Sequence, residues 1–239
     1  AIVGRSGTGK STLLNIVGML DRPTSGTYRV DGVDAVGLRE GRRARMRGAS
    51  FGFVFQQFNI FAARTAVENV EVPLLYEAGP GFWRRRRLAT EMLERVGLGD
   101  RADSYPSQMS GGEQQRIAIA RALVRKPKTI LADEPTGALD PHTGGAVMDL
   151  LESVAEENDA ALITITHDMA IAARSHTVFE LFDGVLHRLG SAADFVGGSP
   201  QEPPPPPDDG PDGAGTSRTK APGARGDGAD GRDWAEEEQ

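Results

Sequence analysis

Apolar positions along the chain fall into two rhythms. Lys10–Leu20 carries Leu13, Leu14, Ile16, Val17 and Leu20 at helical spacing. Phe51–Phe55, Thr129–Ala132 and Ala160–Thr166 are short, mostly apolar runs of strand length, the pattern of strands covered on both faces. Helices are predicted over Arg39–Arg47, Thr65–Leu75, Arg84–Val96, Glu113–Val124, Gly144–Glu157 and Met169–Arg174. Ala1–Val3 is an apolar stub that reads as strand. Thr27–Val30 reads as a strand closed by Asp31-Gly32. Thr177–Phe182 and Val185–Leu189 flank Asp183-Gly184. Both pairs are hairpin-turn signals. Strands alternating with helices predict an α/β layer fold. From about 62 to 110 no strand pattern appears, which predicts a helical insertion.

Composition changes the picture at one end. Residues 191–239 hold 8 of the 15 prolines and 9 of the 30 glycines, and only Phe195 and Val196 from the Leu, Ile, Val and Phe set. They also carry 11 acidic and 4 basic side chains, the whole of the formal charge of −7. Such a segment buries too little apolar surface to offset its ordering entropy, so it is predicted to be a disordered tail. Pro203–Pro207 within it reads as a stiff extended spacer. The first 190 residues hold 23 charges of each sign. That balance removes a global electrostatic case for nucleic-acid binding. The absence of cysteine excludes disulfides, thiolate zinc sites and cysteine nucleophiles in this chain. No apolar run reaches the roughly 18 residues that span a bilayer.

Three motifs carry chemistry. Gly4-Arg5-Ser6-Gly7-Thr8-Gly9-Lys10-Ser11 matches GxxxxGK[ST] and lies between an apparent strand and a helix, with Thr12 following in the first turn. Its glycines let the backbone approach a phosphate chain, and its N–H groups and helix N-terminus point at the anion. Lys10 neutralises phosphate charge and Ser11 supplies a Mg²⁺ ligand. Thr129-Ile130-Leu131-Ala132 ends in Asp133-Glu134. This is the pattern of a Mg²⁺-holding aspartate followed by a carboxylate that polarises a water. Ser110-Gly111-Gly112-Glu113 opens a helix and reads either as an N-cap or as a second anion site. Two phosphate cradles so far apart in sequence suit a head-to-tail dimer, each nucleotide lying between one subunit's first motif and the other's Ser-Gly-Gly turn.

Gly4–Ser11, Gln56, Ser110–Gln114, Ala132–Asp140 and His167 stand in the order and rough spacing of the ATP-binding cassette (ABC) ATPases, which the chain resembles over residues 1–190. Met109–Arg116 resembles that family's LSGGQ signature, with Met109 in place of Leu and Glu113 in place of Gln. The resemblance implies a P-loop fold with a RecA-like core, a mostly parallel sheet and an inserted helical subdomain. It implies that ATP and Mg²⁺ bind, with Ser11, Gln56 and Asp133 toward the metal. Lys10, Glu134 and His167 are the catalytic positions it implies, and Asp140 is the D-loop residue that crosses the dimer interface. Leu14–Gly26, Gly52–Gln56 and Asp133–Asp140 resemble the lipoprotein-releasing and macrolide-exporter cassettes. The implied partners are a second ATPase subunit and an integral-membrane permease, with the cassette peripheral on the cytoplasmic face and no nucleic acid bound. In that family an aromatic side chain upstream of the P-loop, on antiparallel strands, stacks on the adenine. This sequence starts three residues before Gly4, so those strands are expected to be missing and ATP binding weaker. A cassette with a non-transport role, in signalling to cell-wall hydrolases, DNA repair or translation, is the competing enzyme reading. A nucleotide-binding interaction module is the non-enzymatic one. Trp83-Arg84-Arg85-Arg86-Arg87 and the arginines at 42, 43, 45 and 47 read as solvated helix faces or as contacts to anionic lipid or a permease.

Overall fold

A computed structural model describes residues 1–76 and 80–190, without the side chains of 80 and 81. The predicted tail 191–239 lies outside the described residues. In chain order the elements are β1 (Ile2–Val3), α1 (Lys10–Val17), β2 (Arg29–Val30), β3 (Val33–Asp34), α2 (Glu40–Ser50), β4 (Phe51–Phe55), α3 (Ala66–Glu71), α4 (Pro80–Arg95), α5 (Gly111–Leu123), β5 (Thr129–Asp133), α6 (Pro141–Glu157), β6 (Ala161–Ile165), α7 (Met169–Ala172), β7 (Val178–Phe182) and β8 (Val185–Gly190). Six strands form one sheet in the order β4-β5-β6-β1-β7-β8. Every neighbouring pair is parallel except β7–β8. The fold is thus the α/β architecture with a mostly parallel sheet that the strand–helix alternation predicts.

Alternate residues of the central strands face two cores. Val54, Ile130 and Ala132 pack with α3, α4, α5 and α6. Phe51, Leu131 and Ile165 face the other way, toward Leu14 of α1 and the β2–β3 hairpin. Leu131 is fully buried, and truncating a side chain of that kind costs about 2–5 kcal/mol. This double coverage explains why these strands read as apolar runs rather than alternating ones.

Register sets the functional edge. One cross-strand row runs Phe55–Asp133–Ile165–Ile2. The next residues on four adjacent parallel strands are therefore Gln56, Glu134, Thr166 and Val3. The glycine loop, the Asp133-Glu134 pair and His167 all leave the sheet at the same end. Ligands of open α/β sheets bind at that carboxyl end.

Several element bounds differ from the prediction. α1 stops at Val17, because Gly18 packs against Phe53 and Leu131 and Met19 is left-handed at φ 60°. The helix predicted over Thr65–Leu75 tightens into a 3₁₀ turn at Val72–Tyr76, where Pro73 cannot donate an intrahelical bond. α6 begins three residues early, with Pro141 as its first residue. The basic run in α2 is partly structural. Arg43 donates to the Asp21 carbonyl and Arg47 to the Met19 carbonyl at 2.9 Å, capping the chain that leaves α1. In α4, Arg85, Arg86 and Arg87 pair with Glu71, Asp103 and Glu91, while Trp83 is 83% exposed. Among the described residues, none between 62 and 110 is in a strand.

Candidate functional site

The turn from β1 into α1 is built by glycine. Gly9, the N-cap of α1, has φ 93° and ψ 15°, a left-handed conformation that a side chain would strain. It lets the chain double back so that the first N–H groups of α1 open into a cavity. Lys10 is only 9% exposed, and its ammonium donates to the Gly4 and Arg5 carbonyls, both at 2.8 Å. Its charge is held under the loop rather than free in solvent.

That cavity has a volume of about 680 Å³. Gly4, Arg5, Ser6, Gly7, Gly9, Lys10, Ser11 and Thr12 line one side, and Asp133, Glu134 and His167 the other. Thr8 stands outside the lining; its hydroxyl donates to the Arg5 carbonyl at 3.0 Å and braces the loop. Lys10 thus faces Asp133 and His167, 123 and 157 positions away in sequence, across one space, because β5, β6 and β1 are neighbours in the sheet.

Glu134 is held in an uncommon geometry. Its backbone is left-handed at φ 48°, rare for a residue with a side chain. Its N–H donates to the Ile165 carbonyl at 2.9 Å, and Gly137 N–H returns to the Glu134 carbonyl at 3.0 Å. His167 Nδ1 lies 2.8 Å from Glu134 Oε1 and 2.7 Å from Oε2. The hydrogen bond and charge of Glu134 raise the His167 pKa above its usual 6.5, with Asp168 adding and burial and Lys10 opposing. The two side chains are thus hydrogen-bonded to each other at the cavity.

The remaining predicted residues stand apart. Gln56 is exposed and does not line the cavity. Its Nε2 sits 2.8 Å from where a Cβ on Gly137 would stand, so it packs on the turn after Glu134. Ser110, Gly111, Gly112 and Glu113 are also absent from the cavity lining. Ser110 caps α5 in a reciprocal box. Glu113 Oε2 accepts the Ser110 N–H and hydroxyl, each at 2.8 Å, and Glu113 N–H donates to Ser110 Oγ at 3.3 Å. The Ser110 backbone bond, then its hydroxyl, hold the Glu113 carboxyl below the usual range against burial, helped by Arg101 and Arg116. Asp140 caps α6, accepting from Thr143 N–H at 3.0 Å, and the Thr143 side chain, then this backbone bond, lower its pKa.

Two further residues were not anticipated from the sequence. Gln115 is fully buried and donates from Nε2 to the Pro135 carbonyl at 2.6 Å. Arg121 donates to the carbonyls of Asn59, at 2.6 Å, and Phe58, at 2.9 Å. Helix α5 therefore holds both the loop after Gln56 and the turn after Glu134. The only sequence signal is their placement on the inner face of an amphipathic helix.

A glycine loop between a parallel strand and a helix, facing a strand-end aspartate two places along the sheet, defines a P-loop nucleotide-binding protein. The comparisons carry this further. The family model described as ABC transporter matches residues 1–137, and the chain belongs to that family. A dimeric, post-hydrolysis structure of the ATP-binding cassette MJ0796 bound to ADP and Pi is similar at TM-score 0.70 and 44% identity, covering 78% of this chain and 82% of that one. The macrolide export ATP-binding/permease protein MacB 1/2 of Paracoccus denitrificans is 51% identical over 184 residues, 77% of this chain. MacB of Escherichia coli K12 is 50% identical over 190 residues, 79% of this chain. The chain spans 27% and 29% of the length of those two relatives.

Proposed function

We propose that this chain binds and hydrolyses ATP as the motor part of an ABC transporter of exporter type, acting as a dimer on a membrane permease. The observation that carries the reading is the shared cavity, where a phosphate-cradling loop with Lys10 faces Asp133, Glu134 and His167. The likeness to a dimeric cassette bound to ADP and Pi, and to proteins named as ATP-binding/permease, supports it. By the same likeness we place the chain on the cytoplasmic face of the membrane. Among the described residues no helix is long and apolar enough to cross it. The helical stretch of about 62–110 then serves as the subdomain that meets the permease.

The chemistry follows from the residues. The phosphates of ATP lie against the N–H groups of the Gly4–Thr12 loop and the Lys10 ammonium. Ser11 and Asp133 offer hard oxygen donors in the same cavity, the donor type that suits Mg²⁺, while Gln56 stands outside its lining at Gly137. When bound, Mg²⁺ neutralises charge on the phosphate oxygens. Glu134 takes a proton from a water as that water bonds the γ-phosphorus, and the bond from the γ-phosphorus to the bridging oxygen breaks to give ADP and phosphate. His167 holds Glu134 in place and lies beside the γ-phosphate. Ser110–Glu113 of a second copy close the site, the head-to-tail arrangement that puts a phosphate at the start of α5. Helix α5, tied to both catalytic loops, passes the change to the helical subdomain.

Steady-state release of phosphate from ATP with Mg²⁺ tests this, with Glu134→Gln alongside. Turnover that the substitution removes is the expected result. Turnover that persists in Glu134→Gln assigns the hydrolysis to something other than this site.

A further inference from the structure

Gln115 is the buried side chain that stability alone explains least. It is fully buried in α5, yet only half of its amide is partnered. Nε2 donates to the Pro135 carbonyl at 2.6 Å, and Oε1 has no partner among the described residues. The amide orientation is fixed by chemistry, since turning it over would set two carbonyl oxygens against each other. A buried acceptor without a donor is destabilising, and an apolar side chain of the same length would avoid it. Among the described residues, the one side-chain hydrogen bond of Gln115 is to the residue after Glu134.

That placement adds a hydrogen bond between α5 and the turn after Glu134, beside the packing of Gly111 near Leu139. Five residues toward the start of α5 stands Ser110. One residue before Pro135 stands Glu134, left-handed at φ 48° and paired with His167. Proline has no N–H, so the turn after Glu134 cannot be braced by a backbone donor at 135. The Gln115 amide supplies the brace from outside. The Gly137 N–H bond to the Glu134 carbonyl and the Gln56 contact at Gly137 fix the far side of the turn.

We propose that Gln115 is a positioning residue: it holds the Glu134-Pro135 turn in register with the signature helix, so that engagement of Ser110 by a second copy is felt at Glu134. This rests on the ATPase reading above. A shift of the Glu134 carboxylate by an ångström is enough to lower a chemical step about 10- to 100-fold.

Gln115→Leu tests it, with Gln115→Met as a second variant of equal length. Three readouts are taken on the same chain. The first needs no activity: the ¹⁵N shifts of the His167 ring at one fixed pH, which report its hydrogen bond to Glu134. Both variants are expected to move these shifts toward those of Glu134→Gln. The second is thermal unfolding, expected to be unchanged or raised, because the unpartnered acceptor is gone. The third is turnover, where kcat is expected to fall about 10-fold or more with KM for ATP unchanged. Unmoved His167 shifts in a folded variant overturn the proposal. So does a fall in stability with kcat intact, which would make Gln115 a packing residue. Absence of turnover in the wild-type chain counts against the ATPase reading, while the His167 shifts still decide the placement of Glu134.

Discussion

At the carboxyl end of the sheet, Lys10, Ser11, Asp133, Glu134 and His167 face one cavity, and Lys10, Glu134 and His167 are already held by hydrogen bonds of the fold. At the start of α5, Ser110 and Glu113 do not line that cavity and satisfy each other. Both regions offer N–H groups of a helix N-terminus, so both can hold phosphate. One is assembled by parallel strands lying side by side. The other lines a separate cavity of about 350 Å³, where Ser110 and Gly112 stand with Arg116, His142 and Thr143 rather than with Lys10 and Asp133. In our reading the difference means that one chain carries two unlike half-sites, and that only a second copy brings them together.

Substitutions on the two sides separate these roles. Glu134→Gln is expected to have the largest effect, lowering turnover about 10²–10⁴-fold while leaving ATP binding intact. Phosphate release and a nucleotide-binding titration read the two quantities. Lys10→Ala is expected to lower turnover on the order of 10²-fold or more, and to weaken nucleotide binding as well, because its charge serves both. Ser110→Ala sharpens the contrast. It should weaken ATP-driven dimerisation roughly 10- to 100-fold, the worth of a hydrogen bond to a charged group, with monomer affinity for ATP unchanged. Sedimentation in the Glu134→Gln background measures this. An equal loss of ATP binding by the monomer would place Ser110 in its own chain's cavity instead.

Smaller effects concern protons. The His167 imidazole should titrate by NMR above 6.5 and fall back in Glu134→Gln. The sign is that of a raised histidine. Its pairing is fully present below the unfolded value and is lost as pH rises through the folded one. The side chain is 73% exposed, so the readout is titration rather than stability. Asp140→Ala should lower the unfolding temperature slightly by removing the α6 cap. The Asp140 contribution is present above its unfolded pKa and lost as pH falls through its lowered folded value.

Much of the fold is legible in the residue pattern, because strands covered on both faces must be mostly apolar, as Phe51–Phe55 is and as Ala161–Ile165 is apart from Thr164. The hairpins are legible for a local reason: Asp31-Gly32 and Asp183-Gly184 both take the left-handed conformations that such turns require. Bounds are less so, since the early end of α1 depends on Phe53 and Leu131 lying against Gly18. The glycine loop and Asp133-Glu134 are visible as local motifs. The left-handed backbone at Glu134 is not, because it is imposed by the neighbouring strand through the Ile165 carbonyl. Gln115 and Arg121 are invisible for the same reason. Their partners lie 20 and 62 or more residues away in sequence, and only the packed fold brings them into reach.

The most direct measurement is ATP turnover per subunit as protein concentration is raised. If two chains complete each site, turnover per subunit climbs with concentration and then levels off, and Ser110→Ala shifts that climb to higher concentration. Turnover per subunit that stays constant across the range would contradict the account, because each chain would then hold a whole site of its own.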